Sequence, residues 1–193
     1  MKLNEINQLI KCLGREAWVV TSAHAGQCNG LIATFVSPIS IVPDLPRFAV
    51  ALSKLHHTWT LVEGSGALAV HLLTADQADL ALRFGTQTGR EVDKFAGVAH
   101  HTGVTGSPLL SDAKGWLDCR VEASFDTGDR TIYLVEVVAG DFSGDFSPLT
   151  QAQLLGLATP DQLQILRTQL AADAAQDAIA IRKWRAKNVK DSR

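Results

Sequence analysis

Between residues 17 and 139 the chain carries six runs rich in Val, Ile, Leu, Phe and Thr, each six to ten residues long and bounded by turn-forming residues. They are 17–23 (AWVVTSA), 30–38 (GLIATFVSP), 47–52 (RFAVAL), 67–73 (ALAVHLL), 116–125 (WLDCRVEASF) and 131–139 (TIYLVEVVA). Runs of this length and composition between Gly, Pro, Asn and Asp read as β-strands. His24-Ala25-Gly26-Gln27 and Asp126-Thr127-Gly128-Asp129-Arg130 are short enough to be hairpin loops, and hairpins join antiparallel neighbours. The pattern predicts a mainly β domain whose strands close, mostly antiparallel, into a barrel.

Helices are predicted only around these strands. Leu3, Ile6, Leu9, Ile10 and Leu13 have helical spacing, with Gly14 as a stop. Residues 58–63 and 75–84 form two further short helices. In Thr159-Pro160-Asp161-Gln162 the Thr caps, the Pro takes the first helical position and the Gln completes a capping box. Leu163, Leu166, Leu170, Ala174, Ala178 and Ile181 then follow at steps of three or four, so a helix to about residue 187 has one apolar stripe.

Charge and motifs exclude several functions. Eighteen basic and twenty acidic residues give a formal charge of −2, too balanced for a protein whose main partner is nucleic acid. No run approaches the ~20 apolar residues of a membrane span, and Glu5, Lys11, Arg15 and Glu16 interrupt the N-terminal apolar positions, so the expected location is cytoplasmic. Cys12, Cys28 and Cys119 are too few and scattered for a disulfide framework or a zinc site and read as free thiols. The pairs His56-His57 and His100-His101 are poor metal ligands, because neighbours in an extended chain point to opposite sides; no metal site is expected. Gly64-Ser65-Gly66-Ala67-Leu68-Ala69 has the letters of a dinucleotide-binding turn, yet a helix precedes it and a strand follows. The phosphate-binding version needs the reverse order, so this is a helix-to-strand turn. No nucleophile elbow, P-loop or zinc-protease motif is present.

Taken in order, several segments resemble the flavin reductase-like family of FMN-binding split β-barrels, over roughly residues 17 to 140. Asn29-Gly30-Leu31-Ile32-Ala33-Thr34-Phe35 is similar to its N-G-(M)-T/I-A-S/T-x-F segment, and 43–52 (PDLPRFAVAL) to its Pro-bearing loop and third strand. Residues 66–73 resemble its G-x-F-A-V-N-x-L strand, with Leu68 and His71 where Phe and Asn are common. Arg83-Phe84-Gly85 with Asp93-Lys94-Phe95-Ala96-Gly97 resembles its F-(G)…D-K-F-x-G loop. Gly106-Ser107-Pro108-Leu109-Leu110, Leu117-Asp118-Cys119-Arg120-Val121 and Gly128-Asp129-Arg130 complete the series. Many members have G-D-H at the last position, where the histidine lies near the flavin or the incoming nicotinamide; here it is Arg130.

The resemblance implies a split-barrel domain over 1–150, its core about 15–141, and a helical extension over 151–193 that packs on the barrel or on a partner subunit. It also implies non-covalent FMN, and the residues offer what FMN requires: donors and charge for a phosphate, polar contacts for the ribityl chain and ring edge, and a flat apolar wall. Ser53, Lys54, His57 and Thr58 stand where a strand ends and a helix begins, a natural anion site. Lys54 and Thr58 are assigned to the phosphate, with His57 as supporting donor and Lys94 as second cation. Ala33 and Thr34 are the ring contacts and Asn29 the ribityl or phosphate contact, although Asn29-Gly30 also fits a simple hairpin turn. Trp59 and Phe84 are candidates for stacking near the ring.

The function implied is an oxidoreductase taking hydride from NADH or NADPH onto FMN, with no catalytic side chain required because the cofactor carries the chemistry. The resemblance further implies a homodimer and admits an electron-acceptor protein as partner. Two alternatives stay open: an FMN electron carrier with little NAD(P)H turnover, and a split barrel that binds an anionic ligand without redox work.

Overall fold

In chain order, the computed structural model, which describes residues 3–191, contains α1 (Leu3–Lys11), β1 (Trp18–His24), β2 (Gln27–Ala33), β3 (Val36–Pro38), β4 (Arg47–Ser53), α2 (His57–Ser65) and β5 (Ala67–Leu72). A 3₁₀ turn at Ala75–Gln77 leads into α3 (Ala78–Thr86), followed by β6 (His100–Thr102), β7 (Pro108–Leu110), β8 (Gly115–Asp126), β9 (Arg130–Phe142), α4 (Gln151–Leu157) and α5 (Pro160–Asp191). Seven strands form one sheet in the order β2-β1-β5-β8-β9-β4-β3, with every neighbouring pair antiparallel. β6 and β7 form a separate two-stranded ribbon.

Connectivity dictates the curl of the sheet. β2 and β3 are at opposite ends of the strand order, yet only Thr34 and Phe35 separate them in sequence. The outer strands of a flat seven-stranded sheet would lie roughly 29 Å apart. A two-residue link spans at most about 11 Å between the flanking Cα atoms. The sheet must therefore roll until its edges nearly meet, which makes it a split barrel. The expected single strand over 30–38 is broken at Thr34-Phe35 for this reason; beyond the link, the Phe35 carbonyl accepts a hydrogen bond from Ala51 N at 2.9 Å.

Side chains alternate between two cores, as strand geometry requires. Trp18 and Val20 of β1 point to an interior cluster with Leu31, Val50, Leu52, Leu68, Val70, Cys119, Tyr133 and Val135, closed by Val62 of α2. Ala17 and Val19 face a second cluster in which α3 and α4 cover the outside of the sheet through Ala81, Leu82, Phe84 and Leu154. His71 ties β1 to β7 beside the outer cluster: fully buried, its Nδ1 donates to the Val19 carbonyl at 3.0 Å and its Nε2 accepts from Leu110 N at 3.2 Å. Burial pushes its pKa down to about 4, which keeps the ring neutral, as the accepting Nε2 requires.

Gly66 ends α2 in the left-handed conformation (φ 66°) and leads directly into β5, the predicted helix-to-strand turn. The predicted capping box before α5 is formed: Gln162 Oε1 accepts from Thr159 N at 2.8 Å, and Gln162 N donates to Thr159 Oγ1 at 3.3 Å. α4, which the sequence reading does not anticipate, opens with a similar box between Thr150 and Gln153. Gly30 is required by close packing, because a Cβ there would lie 2.8 Å from Phe84 Cδ1. Gly30→Ala is expected to destabilise the fold by about 1–3 kcal/mol through overpacking, measured as a lowered denaturation midpoint with an unchanged m-value.

Candidate functional site

A cavity of about 750 Å³ opens where the end of β2, the β4–α2 junction and the 87–94 loop converge, and α5 lies across it. The rolled sheet makes this convergence: β2 contributes Asn29, Leu31, Ile32 and Ala33, the link contributes Thr34 and Phe35, and β4 contributes Ala51, Leu52 and Ser53. At the junction the chain turns tightly, with His56 N donating to the Ser53 carbonyl at 3.2 Å, and α2 begins at His57. His56 occupies the N-cap position with extended backbone and makes no side-chain cap bond. Trp59 N turns back to the His56 carbonyl at 3.1 Å, and the amides ahead of it lack the partners of a helix interior and carry the positive end of the helix dipole, an arrangement that attracts an anion.

Asn29 is buried beside this turn. Its Nδ2 donates to Thr58 Oγ1 at 3.2 Å, while its Oδ1 has no hydrogen-bond partner among the described residues. A Cβ on Gly89 would lie 2.2 Å from that Oδ1, so the loop can approach the amide only because residue 89 is glycine. A buried carbonyl oxygen without a donor costs about 1–3 kcal/mol, and a ligand hydroxyl or amide would satisfy it.

Seven of the eight predicted site residues line this cavity: Asn29, Ala33, Thr34, Ser53, His57, Thr58 and Lys94. Lys54 does not. It points to the β8–β9 hairpin, where its Nζ donates to Asp126 Oδ1 at 2.6 Å, and the assignment of Lys54 to a phosphate is corrected accordingly. The reason is the turn: β4 ends at Ser53, and Lys54 N donates to the Asp129 carbonyl at 3.0 Å, which places the side chain beside the β8–β9 hairpin. Arg90, which the sequence reading passed over, supplies a cation on the cavity wall, with Nη1 donating to the Leu55 carbonyl at 2.9 Å. Its signal was the Thr88-Gly89-Arg90 turn just before the Asp93-Lys94-Phe95 loop.

Lys94 is 5% exposed and donates to the carbonyls of Gly30 and Phe84, both at 2.9 Å. An ammonium has three donors, so one N–H remains. Burial lowers its pKa to about 8. The pKa of His57 is also lowered, first by burial and then by the charges of Arg90 and Lys94. Phe84 lines the cavity and meets Phe95 edge-on at 5.3 Å. Trp59 instead packs on the interior core, with its indole N–H on Thr131 Oγ1 at 2.9 Å.

The roof is α5, whose Leu163, Leu166, Leu170 and Ala174 face the cavity. At the rim His56 Nε2 donates to Asp173 Oδ2 and Arg130 Nη2 to Asp177 Oδ2, each at 3.3 Å. The Arg130 guanidinium also lies over the Phe35 ring, 5.4 Å from its centroid, with Arg15 at 5.0 Å from the same ring. Among the described residues, no group of three or more His, Cys, Asp or Glu side chains is placed to hold a metal ion. No helix among them is long and apolar enough to cross a membrane. The donor set therefore suits an organic ligand with an anionic group for the first turn of α2, hydroxyls for Asn29 and a flat ring for the wall of Leu31, Ala33 and Thr34.

A family model described as "Flavin reductase like domain" matches residues 10–153, which takes in β1 to β9 and ends inside α4. The reductase subunit HsaB of a flavin-dependent monooxygenase from Mycobacterium tuberculosis is 32% identical over 114 residues, 59% of this chain and 58% of that protein. The chain thus aligns with little more than half the length of that relative. The "FMN reductase (NADH) RutF" of Stutzerimonas stutzeri is 35% identical over 121 residues, 63% of this chain and 67% of that protein. The crystal structure of a flavin reductase domain protein from Arthrobacter superposes with a TM-score of 0.68 at 26% identity, covering 76% of this chain and 89% of the other.

The environment of Lys94 sets a pH dependence of stability. Its proton leaves near pH 8 in the fold and near 10.5 in the unfolded chain, so between these values the unfolded chain holds more protons. The contribution of Lys94 to stability therefore rises with pH from about 8 to 10.5 and is lost as pH falls through about 8. Denaturant unfolding at several pH values, compared with Lys94→Met, is expected to show this rise in the wild type and not in the variant.

Proposed function

The chain belongs to the flavin reductase-like family, and from that premise we propose that it binds FMN in the cavity beneath α5 and is reduced there by NADH or NADPH. The observation that carries the reading is the buried Asn29 amide, with an unsatisfied Oδ1, beside the open first turn of α2. A mononucleotide brings a phosphate and hydroxyls to one cleft, the two things these groups lack. Ser53, His57, Thr58 and the amides of α2 bind the phosphate, with Arg90 and Lys94 neutralising its charge. Asn29 accepts from the ribityl hydroxyls, and Leu31, Ala33 and Thr34 support the ring, their small or flat surfaces allowing the backbone to read its polar edge. Bound FMN supplies the redox chemistry, accepting two electrons as hydride from the nicotinamide. The protein orients it, and the apolar side of α5 keeps water from it.

The names of the relatives support this reading: one is an FMN reductase that uses NADH and another the reductase subunit of a monooxygenase. The second name favours delivery of the electrons to a partner protein. Residues 1–150 act as the flavin-binding domain and 151–193 as its helical extension. The molecule works in the cytoplasm as a homodimer. The connection between β3 and β4 exposes Ile39, Ile41, Val42 and Leu45, an apolar segment that a second copy would cover. Ile41→Asp is expected to shift the mass measured by light scattering from dimer toward monomer.

Purified protein is expected to carry a flavin spectrum or to take up one FMN per chain in a fluorescence titration. Thr58→Val and Asn29→Leu should each weaken binding about tenfold, the effect of roughly 1.4 kcal/mol for a lost buried hydrogen bond, while Lys54→Ala changes it little. A colourless protein that ignores FMN would overturn the proposal. Anaerobic NADH or NADPH should bleach the bound flavin; absence of bleaching would favour the electron-carrier reading instead.

A further inference from the structure

α5 is held unequally along its length. Near its start Leu166 packs on the outer core, and Gln169 Nε2 donates to the Thr86 carbonyl at 3.3 Å. Further along, Trp184 sits on the β8–β9 hairpin, its Cβ so close to Gly128 that a Cβ on the glycine would be 2.6 Å away, and its ring meets Phe125 edge-on at 6.3 Å. Between these two anchorages, above the cavity, the polar contacts to the barrel are Asp173 on His56 and Asp177 on Arg130.

This middle section is electrostatically unbalanced. Asp129 and Asp177 share one guanidinium, since Arg130 Nε also pairs with Asp129 Oδ2 at 3.3 Å, and Asp173 stands nearby on His56. His56 does little to offset them, because burial lowers its pKa and favours the neutral ring, with Arg130 and Lys94 adding to that effect against Asp173. Asp177 is only 8% exposed, and burial, followed by Asp129 and Asp173, raises its pKa. Asp173 on a neutral His56 is a hydrogen bond, and Asp177 on Arg130 is one long contact at 3.3 Å, so neither holds the helix strongly. A guanidinium binds phosphate oxygens in the same forked geometry as carboxylate oxygens, so a phosphate at Arg130 is a direct competitor of Asp177.

We propose that α5 is a latched roof: Asp173 and Asp177 hold it over the cavity by occupying His56 and Arg130, and the phosphates of the nicotinamide dinucleotide release it by taking Arg130 from Asp177. The proposal rests on reading the cavity as a flavin and nicotinamide site. FMN, whose phosphate is assigned to the first turn of α2, does not compete with Asp177 for Arg130. The dinucleotide does compete, so its apparent affinity is reduced by the fraction of molecules in which Asp177 holds Arg130.

The test is calorimetric titration of the FMN-loaded protein with NAD⁺ and NADP⁺, which bring the phosphates without turnover. Asp177→Asn is expected to tighten binding of the preferred dinucleotide about three- to tenfold, a gain of roughly 0.7–1.4 kcal/mol. FMN affinity should stay within about twofold of the wild type, as expected where the two sites share no partner. In an Arg130→Ala background the same substitution should have no effect on dinucleotide binding. Hydrogen exchange over residues 170–180 should speed up in Asp177→Asn without dinucleotide and in the wild type when dinucleotide is added. If Asp177→Asn is too unstable to titrate, Asp173→Asn, at a more exposed position, should shift affinity and exchange in the same directions. FMN uptake with unchanged or weaker dinucleotide binding in these variants overturns the latch alone. Failure of the wild type to take up FMN overturns the functional reading and the latch with it.

Discussion

The two-residue link between β2 and β3 is the constraint on which the rest of the molecule depends. It joins opposite edges of a seven-stranded sheet, and chain length alone then forces the sheet to roll. Rolling creates an enclosed interior for Trp18, Val20 and Tyr133 and an outer face that α3 and α4 must cover. It also brings Asn29 to Thr58 and Thr34 to the same cleft as Ser53, so the cavity is a product of closure. Among the groups that maintain this geometry is Lys94, which holds the β2 carbonyl of Gly30 and the α3 carbonyl of Phe84 with one buried ammonium.

Polar groups in this protein divide by how fully they are paired. His71 has both ring nitrogens satisfied and is purely architectural. Cys119 is buried, and its thiol pKa is pushed up to about 12 by burial and Asp118, so it is an inert core residue. Asn29 is the contrast: equally buried but only half satisfied, it lies where a ligand would complete it. Trp18 Nε1 and Arg83 Nε are also buried without a partner among the described residues, but neither residue lines the cavity; an unpaired oxygen beside an open helix start is what distinguishes the site physically.

Local signals in the sequence transferred well to the structure. Strand runs, the 127–129 hairpin, the Gly66 helix end and the Thr159–Gln162 cap each depend on a few neighbouring residues, and each formed close to where it was read. Side-chain direction was less legible. Lys54 reads as a phosphate ligand because it precedes a helix start, yet the turn that follows β4 ties its backbone to Asp129 and its side chain to Asp126. Arg90 is not legible because a turn cation has no periodic pattern, and Trp59, a candidate for stacking on the ring, packs on the core because nothing local says which side of α2 meets it.

A near-neutral composition, β-rich runs with tight turns and a strongly capped final helix were determined by the residues themselves, because propensity, hydrogen-bond capping and turn geometry act over a few positions. Tertiary structure alone decided that the final helix lies over the cavity, that Asp173 and Asp177 meet His56 and Arg130, and that Asn29 keeps one unsatisfied oxygen. Those contacts join residues from 47 to 117 positions apart. They exist only after a two-residue link has closed the sheet, an effect of chain connectivity that no local window of sequence contains.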